Sequence, residues 1–420
     1  MSNRFGVTRL TSALAGILAA GLILSGCAGG EGGRQTDSAG VSFGASIEEY
    51  QSAFKNIQPI KLRLQTDGPE GSLSNVGREQ WAKAIVKWSG GKIGFEFGYS
   101  NSFAPASTEW AAALADGRID VGYFLPYYTP DDFPALSALS NATFLDGNRP
   151  LSTLVSTGWV TETTFRRPEY VEEAEQRGIH ILTLAPSANI PGIFCTKERT
   201  SLTDFQGVPI SASGKGRFDE LKSLGFTPQS IAFTELYEAI QRGVVSCGST
   251  VPSALDTIGA VQLVPYAIAD PQASLVGFPN YLAVGKAAWD SLPLVARQLM
   301  FDRLDVFLTE ELKARSKRNA DWLRRIKAAG GGIRPLGDDA RQALLARNND
   351  LLNDLAGQGA DTKSFVAARD KWNAIVNEQL YPDVTSSLEE FFTAKAYETV
   401  DVQPFVDAFF KQVLLKNRPS

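Results

Sequence analysis

The segments EWAAALADGRIDVG (residues 109–122) and ELYEAIQRGVVSCG (residues 235–248) align without a gap. They share a Glu, an Ala and two Gly residues, and apolar residues occupy corresponding positions. Each segment predicts a helix, a glycine that ends it, and then a strand. The repetition favours two similar α/β lobes. Because glycine commonly follows a helix, the alternative that both segments share an ordinary helix-to-strand turn stays open.

Upstream of the first segment, strands and helices alternate. Apolar residues predict a strand beginning at Leu62, a helix that ends at Gly90, and a second strand over residues 93–97. The helix of the repeat then leads to a strand over residues 119–123. This order favours a mostly parallel sheet with helices on both faces, so the predicted fold class is α/β. We expect a ligand crevice beyond the carboxyl ends of the strands.

The N-terminus has the pattern of a secretion signal. Arg4 and Arg9 precede an apolar run over residues 10–24, and Leu-Ser-Gly-Cys closes the run at residues 24–27. These four residues resemble a bacterial lipobox, whose cysteine is acylated, for example with palmitate. The plainer alternative is an uncleaved, buried helix. We predict a signal peptide over residues 1–26, a lipid on Cys27, and a flexible tether over residues 27–58.

The predicted lipid would anchor the protein to a bacterial cell membrane, outside the cytoplasm. After Cys27 no stretch approaches the roughly 20 apolar residues that cross a bilayer, so the chain is not expected to be a channel or a permease. The net charge is −5, which argues against a nucleic-acid partner. After Trp289 the sequence changes to long amphipathic helices with few strands.

The scarcity of histidine and cysteine excludes several kinds of chemistry. The only histidine, His180, lies in a strand-like stretch, where a structural role is favoured over a catalytic one. Multi-histidine zinc sites are thereby excluded, and no metal or cofactor is expected. Cys195 and Cys247 are the remaining cysteines. In an oxidising compartment they form either a disulfide or two buried thiols, and the sequence leaves both open.

Two longer segments carry a family resemblance. They are LADGRIDVGYFLPYYTPDDFPALSALSNATFL (residues 114–145) and LTDFQGVPISASGKGRFDELKSLGFTPQSIAFTELYEAIQRGVVSCGSTVP (residues 202–252), and Ala287–Pro293 adds to the match. Residues 60–335 resemble the solute-binding subunit of tripartite ATP-independent periplasmic (TRAP) transporters, the DctP-like family. The resemblance implies a two-lobed periplasmic-binding-protein fold of type II, with crossing hinge strands and a long C-terminal helical region.

The resemblance also implies a lobe assignment and a function. The first lobe would comprise residues 59–187 and 277–315, and the second would comprise 188–276 and 316–420 with the C-terminal helices. A small organic solute would be captured by lobe closure and passed to membrane permease subunits. The protein would not be an enzyme. The role of the last part of the chain, which exceeds the usual family length, is left open.

Two arginines that bind the solute carboxylate in many such proteins are replaced here. Ser211 stands at one position and Phe194 at the other. A hydroxyl cannot reproduce the bidentate bonds of a guanidinium. Lys215 and Arg217, which follow Ser211, either supply a positive charge instead or cap a solvated helix; the sequence leaves both open.

The predicted cleft is lined by loops at the strand ends. Aromatic and hydroxyl side chains predominate there, which suits a neutral or weakly polar solute. Its predicted residues are Thr66, Asp67, Ser72, Tyr123, Phe124, Tyr127, Tyr128, Asn189, Phe194, Ser211, Ser213, Lys215, Arg217, Ser249, Thr250, Phe278 and Tyr281.

Two rival functions remain. A hydrolase would have to rely on acids such as Asp67, Asp131 and Asp132, but Thr-Pro-Asp-Asp-Phe-Pro is more typical of a turn before a helix. A ligand-sensing lipoprotein that docks on a membrane receptor would keep the same fold. Nothing in the sequence separates transport from sensing.

Overall fold

The computed structural model describes residues 40–186, 192–213, 215–231 and 235–420, with Lys215 described by its backbone alone. The predicted signal peptide, Cys27, the tether up to residue 39, Asn189 and the Lys215 side chain therefore lie outside the described residues. In chain order the strands are β1 (Ile60–Gln65), β2 (Ile93–Gly98), β3 (Val121–Phe124), β4 (Ile179–Ala185), β5 (Gly192–Cys195), β6 (Pro209–Ser211), β7 (Thr227–Gln229), β8 (Cys247–Thr250), β9 (Tyr266–Ile268), β10 (Asn280–Gly285) and β11 (Gly332–Arg334).

The strands form two sheets of the same design. The first has the order β2-β1-β3-β10-β4, and the second has the order β11-β9-β5-β8-β6-β7. In the first, β1 is parallel to β2 and β3, while β10 is antiparallel to β3 and β4. In the second, β6 is parallel to β7 and β8, while β5 is antiparallel to β8 and β9. The α/β class and the two similar lobes are confirmed, with one antiparallel strand inside each sheet.

Seventeen α-helices flank the sheets within the described residues. They are α1 (Ile47–Phe54), α2 (Val76–Trp88), α3 (Trp110–Ala115), α4 (Pro134–Asn141), α5 (Ser152–Arg166), α6 (Pro168–Gln176), α7 (Leu202–Phe205), α8 (Lys215–Ser223), α9 (Leu236–Gln241), α10 (Pro252–Thr257), α11 (Lys286–Ser291), α12 (Leu294–Asp302), α13 (Leu304–Ala328), α14 (Asp338–Gly357), α15 (Thr362–Ala374), α16 (Leu388–Thr393) and α17 (Gln403–Gln412).

The repeated segments fold alike. Helices α3 and α9 are followed by Gly117 and Gly243, whose φ angles of +79° and +74° are readily reached only by glycine. Strands β3 and β8 then take equivalent places in their sheets, each between an antiparallel and a parallel neighbour. The sequence match therefore marks the same structural unit in both lobes.

Helix α13 connects the two lobes. Its first half packs against α2 and buries Phe307 and Leu308. Its second half places Trp322 edge-to-face against Phe194 of β5 in the second sheet, with ring centroids 5.7 Å apart. The chain also passes from β4 to β5 and returns from β9 to β10. Residues between the two halves of α13 therefore lie where the lobes meet.

The predicted tether over residues 27–58 needs a correction at its end. Ser46 caps α1 through a reciprocal capping box with Glu49, and Tyr50 and Phe54 are buried. Two aromatic side chains at i, i+4 spacing give this segment an apolar face that the Gly- and Ser-rich residues before it lack. Residues 47–54 are thus part of the folded body.

The C-terminal helices also differ from the expected lobe assignment. Helix α14 packs against α8 of the second lobe, as expected. Helix α15 instead packs against α5 of the first lobe, where Trp372 Nε1 donates to Glu162 Oε2 at 2.6 Å. Arg418 near the chain end donates to Asp302 on α12 at 2.8 Å. Gly158 has no side chain, so the Trp372 ring packs directly over its backbone. This contact places α15 against the first lobe.

Candidate functional site

The strand ends of both lobes carry the predicted site residues. Thr66 and Asp67 follow β1, Tyr123 lies near the end of β3, Ser211 ends β6, and Thr250 ends β8. In each sheet these strands are parallel, so their carboxyl ends share one edge. In α/β folds, ligands bind in the crevice beyond the carboxyl ends of the strands.

A row of contacts runs from the first lobe to the second. The Tyr128 and Tyr127 rings lie 4.8 Å apart, and Tyr127 contacts Phe278 at 5.6 Å. The Arg217 guanidinium lies over the Phe278 ring at 5.1 Å, and Arg217 donates to Ser249 Oγ at 3.1 Å. The structure thus joins five of the predicted residues in one continuous row. We call this set the aromatic row.

The two tyrosines of the aromatic row are neutral phenols. Desolvation raises the pKa of Tyr127 well above its usual value and raises that of Tyr128 as well. The Tyr128 side chain is nevertheless 44 % exposed, so it is accessible to a solute. A neutral phenol ring offers a stacking face and a hydroxyl.

The Arg217 side chain binds other groups of the protein. It is 4 % exposed, donates to the carbonyl of Val276, and lies 3.4 Å from the buried carboxylate of Glu220. Burial lowers the pKa of Arg217, against the attraction of Glu220. Arg217 is therefore a structural link between α8 and the returning chain rather than a free clamp for an anion.

A second polar cluster lies at the ends of β1 and β3. Arg78 of α2 is 1 % exposed, pairs with Asp67, and donates to the Gln65 carbonyl at 3.3 Å. Its guanidinium lies 4.0 Å from the centroid of the Tyr123 ring. The buried Tyr123 hydroxyl has no hydrogen-bond partner among the described residues, and burial raises the pKa of Tyr123 to about 12. A neutral donor is therefore left available.

Helix α13 adds two arginines and one carboxylate to this cluster. Glu311 is completely buried, forms an ion pair with Arg315 at 3.1 Å, and accepts a hydrogen bond from Arg318 at 3.4 Å. Although desolvation acts to raise it, Arg78 and Arg318 hold the pKa of Asp67 below its usual value. We call Asp67, Arg78, Glu311, Arg315 and Arg318 the charged cluster. Its three guanidinium groups face two carboxylates, which leaves one positive charge in excess.

The sequence reasoning missed Arg78 and the α13 residues of the charged cluster. The signal was present in α13, where Glu311, Arg315 and Arg318 follow i, i+4 and i+7 spacing. On the same helix Phe307 and Leu308 are buried. A charged stripe that extends an apolar face of a buried helix indicates paired or functional charges.

Three predicted residues are occupied with structural contacts. Thr66 is completely buried, with its hydroxyl 3.5 Å from the Gly68 carbonyl. Phe194 is completely buried against Trp322. Tyr281 is completely buried and its hydroxyl lies 3.1 Å from that of Thr164. None of these side chains is open to a solute in this arrangement.

The remaining hydroxyl residues differ in their surroundings. Ser211 is 7 % exposed, and its hydroxyl has no hydrogen-bond partner among the described residues. Thr250 is half-buried and Ser213 is exposed. Ser72 bonds to Ser74 at 2.9 Å, and Phe124 is buried against Phe133. Of this group, Ser211 combines burial with an unused polar atom.

His180, Cys195 and Cys247 make contacts within the protein. His180 stacks on Trp289 with centroids 4.2 Å apart, and its Nδ1 lies 2.5 Å from Glu175 Oε1. Cys195 and Cys247 are joined in a disulfide between the adjacent strands β5 and β8. The sequence had left this pair open.

The features that would favour other functions are weak. Asp131 and Asp132 lie in an exposed turn before α4, and Asp132 pairs with Arg177. Among the described residues, no group of three or more histidine, cysteine and acidic side chains is placed to hold a metal ion. In the same part of the chain, every helix is too short or too polar to cross a membrane.

Comparison with known families gives one extended match. The family model "Bacterial extracellular solute-binding protein, family 7" (DctP) matches residues 66–358. The matched region contains both sheets except β1 and contains all of α13. It ends before α15, so the last three α-helices lie beyond it.

Solved structures share the fold at low sequence identity. A TRAP solute-binding protein specific for pyroglutamate, from an unidentified marine microbe, is 18 % identical, with TM-score 0.62 over 75 % of this chain and 100 % of that chain. A marine metagenome TRAP protein specific for aromatic acid ligands is 17 % identical, with TM-score 0.63 over 76 % and 100 %. A Desulfovibrio desulfuricans TRAP protein with bound sn-glycerol-3-phosphate is 15 % identical, with TM-score 0.62 over 76 % and 100 %.

Proposed function

Because the chain belongs to the bacterial extracellular solute-binding proteins of family 7, we propose that it captures a small organic anion between its two lobes and delivers it to a TRAP-type membrane permease. A lipid on Cys27 holds the protein at the outer face of the cell membrane. The solute is enclosed as the lobes close, and the permease recognises the closed form.

The observation that carries this proposal is the pair of matching sheets with polar groups at their corresponding edges. The aromatic row and the charged cluster both lie at these strand ends. The connections between lobes, namely the two chain crossings and α13, leave the lobes able to move as units. Closure excludes water from the cleft, which strengthens each polar contact to the solute.

The excess charge of the charged cluster favours an anionic solute. Three guanidinium groups of the cluster accompany two carboxylates, Asp67 and Glu311. The unpaired hydroxyls of Ser211 and Tyr123 supply further donors. The related structures named above are specific for or hold pyroglutamate, aromatic acids and a phosphate ester. An anionic solute differs from the sequence-based expectation of a neutral or weakly polar one, which rested on the aromatic and hydroxyl side chains of the cleft and on the arginines replaced by Ser211 and Phe194.

The sequence supports the lipid anchor, because the Leu-Ser-Gly-Cys segment at residues 24–27 resembles a lipobox. The family match supports the permease, because TRAP solute-binding proteins work with membrane permease subunits. Residues 40–58 contribute α1 to the folded body, so the flexible tether of the proposal ends before residue 40.

A ligand screen followed by calorimetry tests the proposal. Residues 37–420 form one compact unit, and we expect this part to be stabilised by small carboxylates or phosphate esters in a thermal-shift screen and not by neutral sugars. Arg318→Gln removes a charge-assisted hydrogen bond worth about 1.5–3 kcal/mol. It should therefore lower the affinity for the compound found in the screen about 10- to 100-fold.

Arg324→Gln is the matched control, because Arg324 lies on the same helix and its side chain is 73 % exposed. Its affinity for the solute should equal that of the wild type. Binding of neutral solutes alone, or equal affinities of Arg318→Gln and the wild type, would argue against the anionic class.

A further inference from the structure

A cavity of about 450 Å³ borders the site described above and shares Phe278 of the aromatic row and Arg315 of the charged cluster with it. Its wall is formed by residues 143–156, by the returning chain at residues 277–279, by α13 at residues 312–319, and by residues 388–402. Among the residues predicted for the cleft, Phe278 alone lines it. The volume falls within the range of small-molecule sites in proteins. We call it the hinge cavity.

One part of the wall of the hinge cavity is apolar. Leu154, Leu312, Phe391 and Phe392 are buried side chains that line it. Asn319 of α13, which is 9 % exposed, adds one amide to the wall. Apolar surface in contact with water costs free energy, and an apolar ligand body would relieve this cost.

The rim of the hinge cavity is positively charged. Arg149 and Lys317 are exposed at the wall, and neither forms an ion pair among the described residues. Lys313 pairs with Glu310 at 3.8 Å. The exposed acid on the wall, Glu398, accepts from the Tyr397 hydroxyl at 3.1 Å. Arg149 and Lys317 outnumber Glu398, so the rim attracts an anion.

One acidic side chain, Asp146, lies on the inner wall and does not cancel the positive charge of the rim. Asp146 lines the cavity, accepts from Trp159 Nε1, and has its pKa raised by burial to about 7. Near neutral pH it is therefore only partly ionised. Arg315 also lines the cavity, but its guanidinium is paired with Glu311.

We propose that the hinge cavity is a second binding site, which takes an amphipathic organic anion: an apolar chain or ring with one carboxylate. The apolar body lies against Leu312, Phe391 and Phe392, and the carboxylate lies at the rim near Arg149 and Lys317. Residues 388–402, which complete the wall, lie beyond the family match at residues 66–358. The site is thus an addition of this chain's own C-terminal segment to the shared fold.

Decanoate and its neutral counterpart 1-decanol are suitable probes for calorimetric titration of residues 37–420. We expect decanoate to bind the wild type, and Val400→Trp, which places a large ring at the cavity wall, to abolish binding. The double variant Arg149→Glu/Lys317→Glu should weaken decanoate about tenfold or more and leave 1-decanol unchanged. Lys83→Glu, an exposed charge reversal on α2, is the matched control and should bind decanoate like the wild type.

Two results would overturn the proposal. The first is no binding of decanoate to the wild type. The second is equal decanoate binding by the wild type and by Val400→Trp. The thermal unfolding midpoint of each variant, measured in parallel, shows whether it is folded. If Val400→Trp does not fold, Leu154→Phe takes its place, because Leu154 lines the same cavity and the substitution adds less volume. We expect Leu154→Phe to lose decanoate binding as well.

Discussion

The guanidinium of Arg217 lies 5.1 Å above the ring of Phe278 and thereby links helix α8 of the second lobe to the chain that returns to the first. The same guanidinium is paired with Glu220, which is completely buried and accepts from the Val276 amide at 2.9 Å. One buried ion pair therefore holds the returning chain in place.

Arg217→Met should lower the free energy of unfolding by about 3–5 kcal/mol, because it leaves the Glu220 charge buried without its partner. Urea denaturation measures the loss. Arg217→Met/Glu220→Met, which removes both charges, should recover part of it. A single variant as stable as the wild type would show that the pair does not hold the chain.

The Cys195–Cys247 disulfide should stabilise the second lobe. It closes a loop with a sequence separation of 52 residues, for which chain entropy predicts about 4 kcal/mol in the unfolded-state model. We expect Cys195→Ala/Cys247→Ala to lower the urea midpoint. A reducing agent should lower the wild-type midpoint similarly and leave the double variant unchanged. Equal midpoints of wild type and double variant without reductant would refute the stabilising role.

Gly158→Ala should destabilise the contact between α5 and α15. A Cβ atom at residue 158 would lie 2.2 Å from Cδ2 of Trp372, which must then move from its place against Glu162. Overpacking of this kind costs about 1–3 kcal/mol. Gly357→Ala is the control, because a Cβ there meets open space at the end of α14. The thermal midpoint should fall in Gly158→Ala alone; an equal effect in both variants would contradict the close fit.

Asp146 should make stability depend on pH. Burial raises its pKa from 3.8 to about 7, although Trp159, Ser156 and Arg369 act to lower it. Between these values the folded chain holds the proton more tightly than the unfolded chain, so the free energy of unfolding falls as the pH rises through this window. At about 1.4 kcal/mol per pKa unit, the upper bound of the loss is about 4 kcal/mol.

Asp146→Asn removes this titration, and its stability relative to the wild type should therefore be higher at about pH 8 than at about pH 5. Thermal unfolding at both pH values measures the difference. A constant difference between variant and wild type across the window would contradict the raised pKa.

The sequence predicted those parts of the fold that depend on local signals. The glycines after α3 and α9 and the apolar strands around them revealed the paired lobes, since helix ends and strand patterns lie within a few residues of each other. It also located Arg217, Ser249, Tyr127, Tyr128 and Phe278, which the structure joins in the aromatic row. The contacts between these side chains could not be predicted from the sequence.

The sequence could not predict contacts between distant elements. Trp372 and Glu162 are 210 residues apart, and their bond takes α15 to the first lobe. Likewise, nothing near Asp67 in the sequence indicates that Arg318 faces it. The burial of Phe194 depends on Trp322 of α13, which comes much later in the chain. Each of these follows from tertiary packing rather than from local pattern.

Binding of the solute between the lobes can be tested by calorimetric titration with the solute found in the thermal-shift screen. Ser211→Leu places an apolar side chain where an unpaired hydroxyl now lies in the cleft, and Val400→Trp fills the hinge cavity. We predict that Ser211→Leu loses the solute and that Val400→Trp binds it like the wild type. The opposite result, with binding kept in Ser211→Leu and lost in Val400→Trp, would place the solute in the hinge cavity and contradict binding in the cleft.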